Sequence, residues 1–129
     1  MPKGVKVPYG TALLNQTYAE YRKSAIKRGY EFNLPINTFI DLLLKSCYYC
    51  GQPPSRLAKH GGLKAHFAIN GIDRIDNKIG YTLENSISCC SFCNNAKKDY
   101  TLDDFLSWIQ RAANYQMEAQ HGSPSVTES

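Results

Sequence analysis

The 129-residue chain has no run of about 18 apolar residues, so a membrane-spanning helix is not expected. A charged-then-apolar leader is missing as well, which argues against secretion and for a reducing compartment. No internal repeat is present apart from paired cysteines, and a single small domain of this size has only a modest core. Histidine is scarce, with three copies, of which His60 falls in a Gly-rich stretch and His121 near the end. Basic residues are nearly absent from the last segment: residues 101–129 carry one Lys or Arg against four Asp or Glu. Residues 1–46 carry seven against three and residues 47–100 seven against four, so a basic body precedes an acidic end. That balance is compatible with a polyanionic partner such as nucleic acid, although a mixed basic surface is commonly only solvated.

What the chain does have is five cysteines, four of them in two Cys-x-x-Cys pairs, Cys47/Cys50 and Cys90/Cys93. Four thiolates in two close pairs suit a tetrahedral structural Zn²⁺. Buried free thiols or a redox pair are the bland alternatives. Cys89 also lies within reach of Cys93, but the matched spacing favours Cys90, leaving Cys89 for the core. The 39 residues from Gly51 to Cys89 exceed ordinary zinc-ribbon spacing, so the metal would hold an inserted functional unit.

Residues 1–10 read as a flexible basic arm. Leu14, Tyr18, Tyr21 and Ala25 recur at helical spacing and predict a helix over 11–28, capped by Gly29. Arg22, Lys23, Lys27 and Arg28 lie off that stripe, where they are either solvated or in contact with phosphates. A second helix is expected over 35–46, followed by an irregular Pro/Gly-rich loop to about residue 63. The segment 64–72 predicts a strand that forms a hairpin-like pair with the apolar run at 86–88. Residues 90–98 have helical composition. Thr101 opens a capping box for a further helix with Leu102, Phe105, Leu106, Ile109, Ala112 and Ala113 on its apolar face. Residues 119–129 are expected to be disordered.

Between and just after the cysteine pairs lie Asp73, Arg74, Asp76, Asn77, Asn85 and Asn94. Oxygen donors of this kind suit a hard cation, and Mg²⁺ typically takes only one or two protein ligands. For Asp76 and Asn77, in the turn-rich DNKIG, turn geometry alone is a sufficient reading.

The ordered blocks CYYCG, NGIDRIDNKIGYTLEN and CCSFCNNAKKDYTLDDF, from about Cys47 to Phe105, resemble the zinc-bearing HNH endonucleases common in bacteriophages. The resemblance implies an α+β fold: a small zinc-stapled ββα-metal core over 47–118, with an N-terminal arm and helical extension over 1–46 and a C-terminal helix. By position, Asp73 and Asn94 match the ligands of a catalytic cation, Mg²⁺ or Mn²⁺, and Asn85 the residue that orients the loop and active site. Lys97 would approach a phosphate. The chain departs from the family at Arg74, where a general-base histidine is expected. A guanidinium cannot accept a proton from water but can hold a phosphate. A similar Asp-Arg pair is seen in rare-cutting HNH restriction enzymes. His66, on the expected first strand, and Tyr49, inside the first knuckle, are the candidate replacement bases.

The expected activity is therefore metal-dependent hydrolysis of double-stranded DNA, with the basic helix residues on the DNA backbone. The alternatives are a non-catalytic zinc-stabilised DNA-binding domain and a zinc-stapled protein-interaction module. Either a monomer or a homodimer is compatible with the sequence. The expected location is the cytoplasm, that of the host if the chain is phage-encoded.

Overall fold

The apolar stripe read from the sequence is the buried side of the first helix, α1 (Tyr9–Lys27). Leu14 and Ala25 are buried, and Tyr18 and Tyr21 pack edge-to-face on Phe39 with ring centroids 5.1 Å away in each case. Tyr18 also donates to the Leu34 carbonyl at 2.7 Å, so its polar end is satisfied inside the fold. Gly29 ends the helix at φ 82°, with the Tyr30 amide turned back to the Ala25 carbonyl at 2.8 Å, the C-cap expected from the sequence. A computed structural model describes residues 9–60 and 63–121 and divides the chain into two compact units, one up to Ala96 and one from Lys97.

In the first unit, α2 (Ile36–Leu43) is shorter than the helix expected over 35–46. The carbonyl of Leu43 accepts the Asn70 amide at 2.7 Å and that of Lys45 accepts Asn70 Nδ2 at 2.8 Å, so these groups serve the following sheet and not another helical turn. The Pro/Gly-rich stretch also departs from expectation. Its second half forms β1 (Arg56–His60), antiparallel to β2 (Leu63–Ile69), with Arg56 opposite Ile69 and Lys59 opposite Lys64. Pro53 and Pro54 precede the strand, where a missing donor costs no ladder bond, and the register shifts between Leu57 and Lys59.

The single strand expected over 64–72 is interrupted at Asn70 and continues as β3 (Gly71–Arg74) in a different sheet. β3 pairs antiparallel with β4 (Ser86–Cys89): Gly71 faces Cys89, Ile72 faces Ser88, Asp73 faces Ile87 and Arg74 faces Ser86. The helix α3 (Ser91–Lys97) follows directly, completing a ββα unit and running to the boundary of the second unit. Leu13, Leu34, Phe39, Leu43, Ala58, Ile69, Ile72 and Tyr81 form the core joining α1, α2 and both hairpins. Full burial of one such aromatic or aliphatic side chain contributes about 1.5–3 kcal/mol.

The second unit contains α4 (Leu102–His121). Thr101 Oγ1 accepts the Asp104 amide at 3.1 Å, as the capping box predicts, and Phe105 stacks on Trp108 with centroids 5.8 Å apart. Two terminal expectations shift: Tyr9 and Gly10 are helical rather than part of an arm, and residues 119–121 extend α4 instead of beginning a tail. The rest of the expected arm and tail lies outside the described residues.

Candidate functional site

The Sγ atoms of Cys47, Cys50, Cys90 and Cys93 lie within 4.8 Å of one another, and Cys50 and Cys90 are 3.7 Å apart. A tetrahedral site with Zn–S near 2.3 Å needs S–S separations of about 3.8 Å, so the four thiols could hold a structural metal such as zinc. The first knuckle is built by backbone geometry. Gly51 adopts φ 80° and its amide reaches the Cys47 carbonyl at 2.9 Å, while the Cys47 amide reaches Gln52 O at 2.8 Å. The Tyr48 amide donates to Ser88 O at 2.9 Å and fastens the knuckle to β4. The second knuckle sits at the start of α3, where the Cys93 amide donates to Cys90 Sγ at 3.4 Å.

Burial raises the Cys47 thiol, but the backbone N–H groups of Cys90, Cys50 and Tyr49 outweigh it and leave Cys47 at about 7. Burial pushes Cys50 up, and it pushes Cys93 up further with the Cys50 and Cys90 thiols beside it. Metal binding must therefore expel protons, and affinity is expected to fall as pH drops through about 7. Chelator competition at about pH 6 and about pH 8 measures this, with easier metal release expected at the lower pH. Cys89 stays outside the cluster: it is buried, bonds the Cys90 carbonyl at 3.3 Å, and is raised by burial and the Asp73 charge.

Asp73, on β3, is buried, and its Oδ2 accepts the Tyr49 hydroxyl at 2.7 Å. The sequence left Tyr49 as a candidate base, and the structure assigns it the opposite role. Burial and the Asp73 carboxylate push the phenol well above its ordinary value, so Tyr49 is a hydrogen-bond donor. Asn94 is exposed on α3, its amide bonded to the Cys90 carbonyl at 3.0 Å.

Asn85 stitches the connection between β3 and β4. Its Oδ1 accepts the Asp76 amide at 2.8 Å, and its Nδ2 reaches the carbonyls of Asp76, Ile79 and Gly80 at 3.0, 3.2 and 2.9 Å. Asp76 Oδ1 accepts the Lys78 amide at 2.9 Å, the turn-forming use read from the sequence. Arg74 takes part in the same loop: Nη1 donates to Asn77 O at 2.6 Å and Ile79 O at 3.1 Å. Its guanidinium lies 3.8 Å from the Tyr30 ring centroid and 5.6 Å from that of Tyr81. Arg74 and Asp73 thus have different printed partners, the aromatic loop and the cysteine knuckle.

His66 belongs to β2, in the other sheet, and so does not share a strand with Asp73, since Asn70 breaks the expected run. Arg22, Lys23, Lys27 and Arg28 are exposed on and just beyond α1. Arg28 approaches the same Tyr30 ring as Arg74, at 5.2 Å, so the basic end of α1 meets the strand carrying Asp73. Lys97 is fully buried and is not displayed on an open helix face for a phosphate.

Three supporting residues had no chemical signature in the sequence. Asn70 joins α2 to the first knuckle through bonds to Lys45 O and Gln52 O. Tyr30 gathers the two guanidinium groups. Gly80 permits close approach of the loop to the backbone of Glu31. An NG dipeptide at 70–71 and a glycine before a tyrosine at 80 were the available signals, and both are common in plain turns.

No family model matches the chain. It is 36% identical over 109 residues to an uncharacterised protein of Acanthamoeba polyphaga mimivirus, covering 84% of this chain and 18% of that protein. It is 31% identical over 84 residues to an uncharacterised 29.0 kDa protein from the dda-modA intergenic region of Enterobacteria phage T4, covering 64% of this chain and 31% of the phage protein. The chain thus spans less than a third of the length of either viral relative. Among solved structures it is similar to the rare-cutting HNH restriction endonuclease PacI, with TM-score 0.58, 21% identity and 82% of each chain covered. The ββα unit, the four-thiol cluster between its strands and helix, and this likeness give the chain an HNH-like fold.

Proposed function

We propose that the domain is a metal-dependent DNA endonuclease, with the cysteine cluster holding structural zinc and Asp73 with Asn94 holding a single divalent cation, Mg²⁺ or Mn²⁺. The observation that carries this reading is a buried carboxylate, Asp73, on the strand of a ββα unit, bonded at 2.7 Å to a residue of the metal knuckle. The donor chemistry fits: among the described residues no group of three His, Cys, Asp or Glu accompanies the four cysteines, and a hard cation bound to nucleic acid needs only one or two protein ligands. When bound, such a cation would offset charge on the scissile phosphate and the departing oxygen. Asn85 and Arg74 hold the loop that flanks Asp73, and Arg22, Lys23, Lys27 and Arg28 give the DNA backbone a basic surface continuous with it. That PacI acts on DNA agrees with this substrate, and no helix of the described residues is long and apolar enough to cross a membrane.

The test is plasmid nicking with Mg²⁺ and Mn²⁺. Asp73→Ala and Asn94→Ala are expected to lower the rate on the order of a hundredfold or more, as for the loss of several kcal/mol of charge stabilisation. With Tyr49 engaged as a donor, His66→Ala examines the remaining candidate base. A second reading, a non-catalytic DNA-binding domain, draws on the use of Arg74 Nη1 in the loop where a base would stand. Salt-dependent DNA binding that survives Asp73→Ala, with no cleavage by wild type in any metal, would establish that reading instead.

A further inference from the structure

We infer that Tyr49 is a positioning residue that fixes the Asp73 carboxylate for its cation, and so couples the cysteine knuckle to the second metal. The inference rests on the nuclease reading above for the role of Asp73. Tyr49 lies between the two ligand cysteines of the first knuckle, and its position is set from both sides. The Gly51 and Cys47 amides close the knuckle, and the neighbouring Tyr48 amide pins it to Ser88 of β4. From that fixed point the Tyr49 hydroxyl reaches Asp73 Oδ2, across 24 residues of sequence.

A carboxylate can rotate about its last bond, and each accessible rotamer presents its oxygens differently. Anchoring Oδ2 to a buried phenol removes that freedom. The Tyr49 ring is itself held, 8% exposed and edge-on to Tyr48 with centroids 5.4 Å apart. Partners of this kind, hydrogen-bonded to a ligand but not to the metal, typically change affinity by about 10–100-fold when removed. A phenylalanine at this position keeps the ring and deletes only the donor.

The experiment uses the zinc-loaded full chain and Mn²⁺ as the probe, with free Mn²⁺ followed by electron paramagnetic resonance. Tyr49→Phe is expected to keep one zinc per chain and to weaken Mn²⁺ binding about tenfold. The Mn²⁺ concentration for half-maximal nicking should rise by the same factor while the rate at saturating Mn²⁺ stays near wild type. A merely structural defect would instead lower zinc content or the saturated rate. Tyr48→Phe, in the same knuckle but exposed, should match wild type in every readout. Unchanged Mn²⁺ affinity in Tyr49→Phe, with binding abolished in Asp73→Ala, would overturn the positioning role and leave the nuclease reading intact. Unchanged affinity in Asp73→Ala would remove the cation from Asp73 and overturn both.

Discussion

Cys90→Ser is expected to lose the bound zinc and with it cooperative unfolding, whereas Cys89→Ser keeps one zinc per chain and melts at a somewhat lower temperature. The two residues are adjacent, buried and chemically identical, so the difference comes from placement alone. Cys90 Sγ lies in the four-thiol cluster, while Cys89 Sγ is bonded to a carbonyl and held protonated by burial and the Asp73 charge. Structural zinc contributes an apparent free energy of about 10–16 kcal/mol in small zinc peptides. A domain of this size has about 5–15 kcal/mol of net stability, so losing even part of the metal term is enough to unfold it. Exchanging a buried thiol for a hydroxyl at Cys89 costs about 1–3 kcal/mol. Zinc content of the purified variants, followed by thermal melts with and without chelator, checks both halves. Zinc retained in Cys90→Ser and lost in Cys89→Ser would move the second ligand pair by one residue.

The cysteine pairs were legible in the sequence because their chemistry depends on spacing over four residues, and the structure brings the same four thiols together. The α1 stripe and α4 were legible for a similar reason, since helical periodicity is a local property. The hairpin of β1 and β2 was not. Its strands join across Gly61 and Gly62, and the residues Arg56–His60 show neither apolar alternation nor an apolar run, with Ala58 alone buried among those described. The break at Asn70 was equally hidden. It depends on carbonyls of Lys45 and Gln52, which lie 25 and 18 residues away in the chain.

The same limit applies to Tyr49 and Arg74. A tyrosine in a knuckle and an arginine beside an aspartate are residue types with several uses, and only their partners distinguish them. For Tyr49 the partner is a carboxylate, which makes a donor of a residue read as a base. For Arg74 the partners are two loop carbonyls and the Tyr30 ring, which give it a part in shaping the loop in addition to any phosphate it would meet. Asn85 was read correctly in kind, as an orienting residue, because the resemblance supplied a role that its four side-chain bonds are suited to perform.

Gly80→Ala is expected to be the most damaging glycine replacement in the chain's described loops, although Gly80 has an ordinary φ. A Cβ built there would lie 2.2 Å from the Glu31 carbonyl oxygen and 2.7 Å from its nitrogen, so the obstacle is backbone and cannot rotate away. Relief requires separating the loop from the segment after α1, which would break the Tyr81 amide bond to Glu31 O and the Asn33 amide bond to Tyr81 O, both 2.8 Å. Overpacking costs about 1–3 kcal/mol and each backbone bond lost about 1 kcal/mol, so a loss of roughly 3–5 kcal/mol is expected. Gly51→Ala offers the contrast. Its φ of 80° strains any side chain, yet nothing lies within 4 Å of a Cβ there, so the cost should stay near 1 kcal/mol. Denaturant melts of the two variants test this ordering, and equal losses would mean that the approach to Glu31 relaxes easily. The functional consequence follows from the same contact. Gly80 O accepts one of the bonds by which Asn85 holds the loop, so moving residue 80 also loosens the segment that Arg74 binds beside Asp73. A partly folded Gly80→Ala protein should therefore retain zinc at the cysteine site while losing nicking activity beyond its loss of folded fraction.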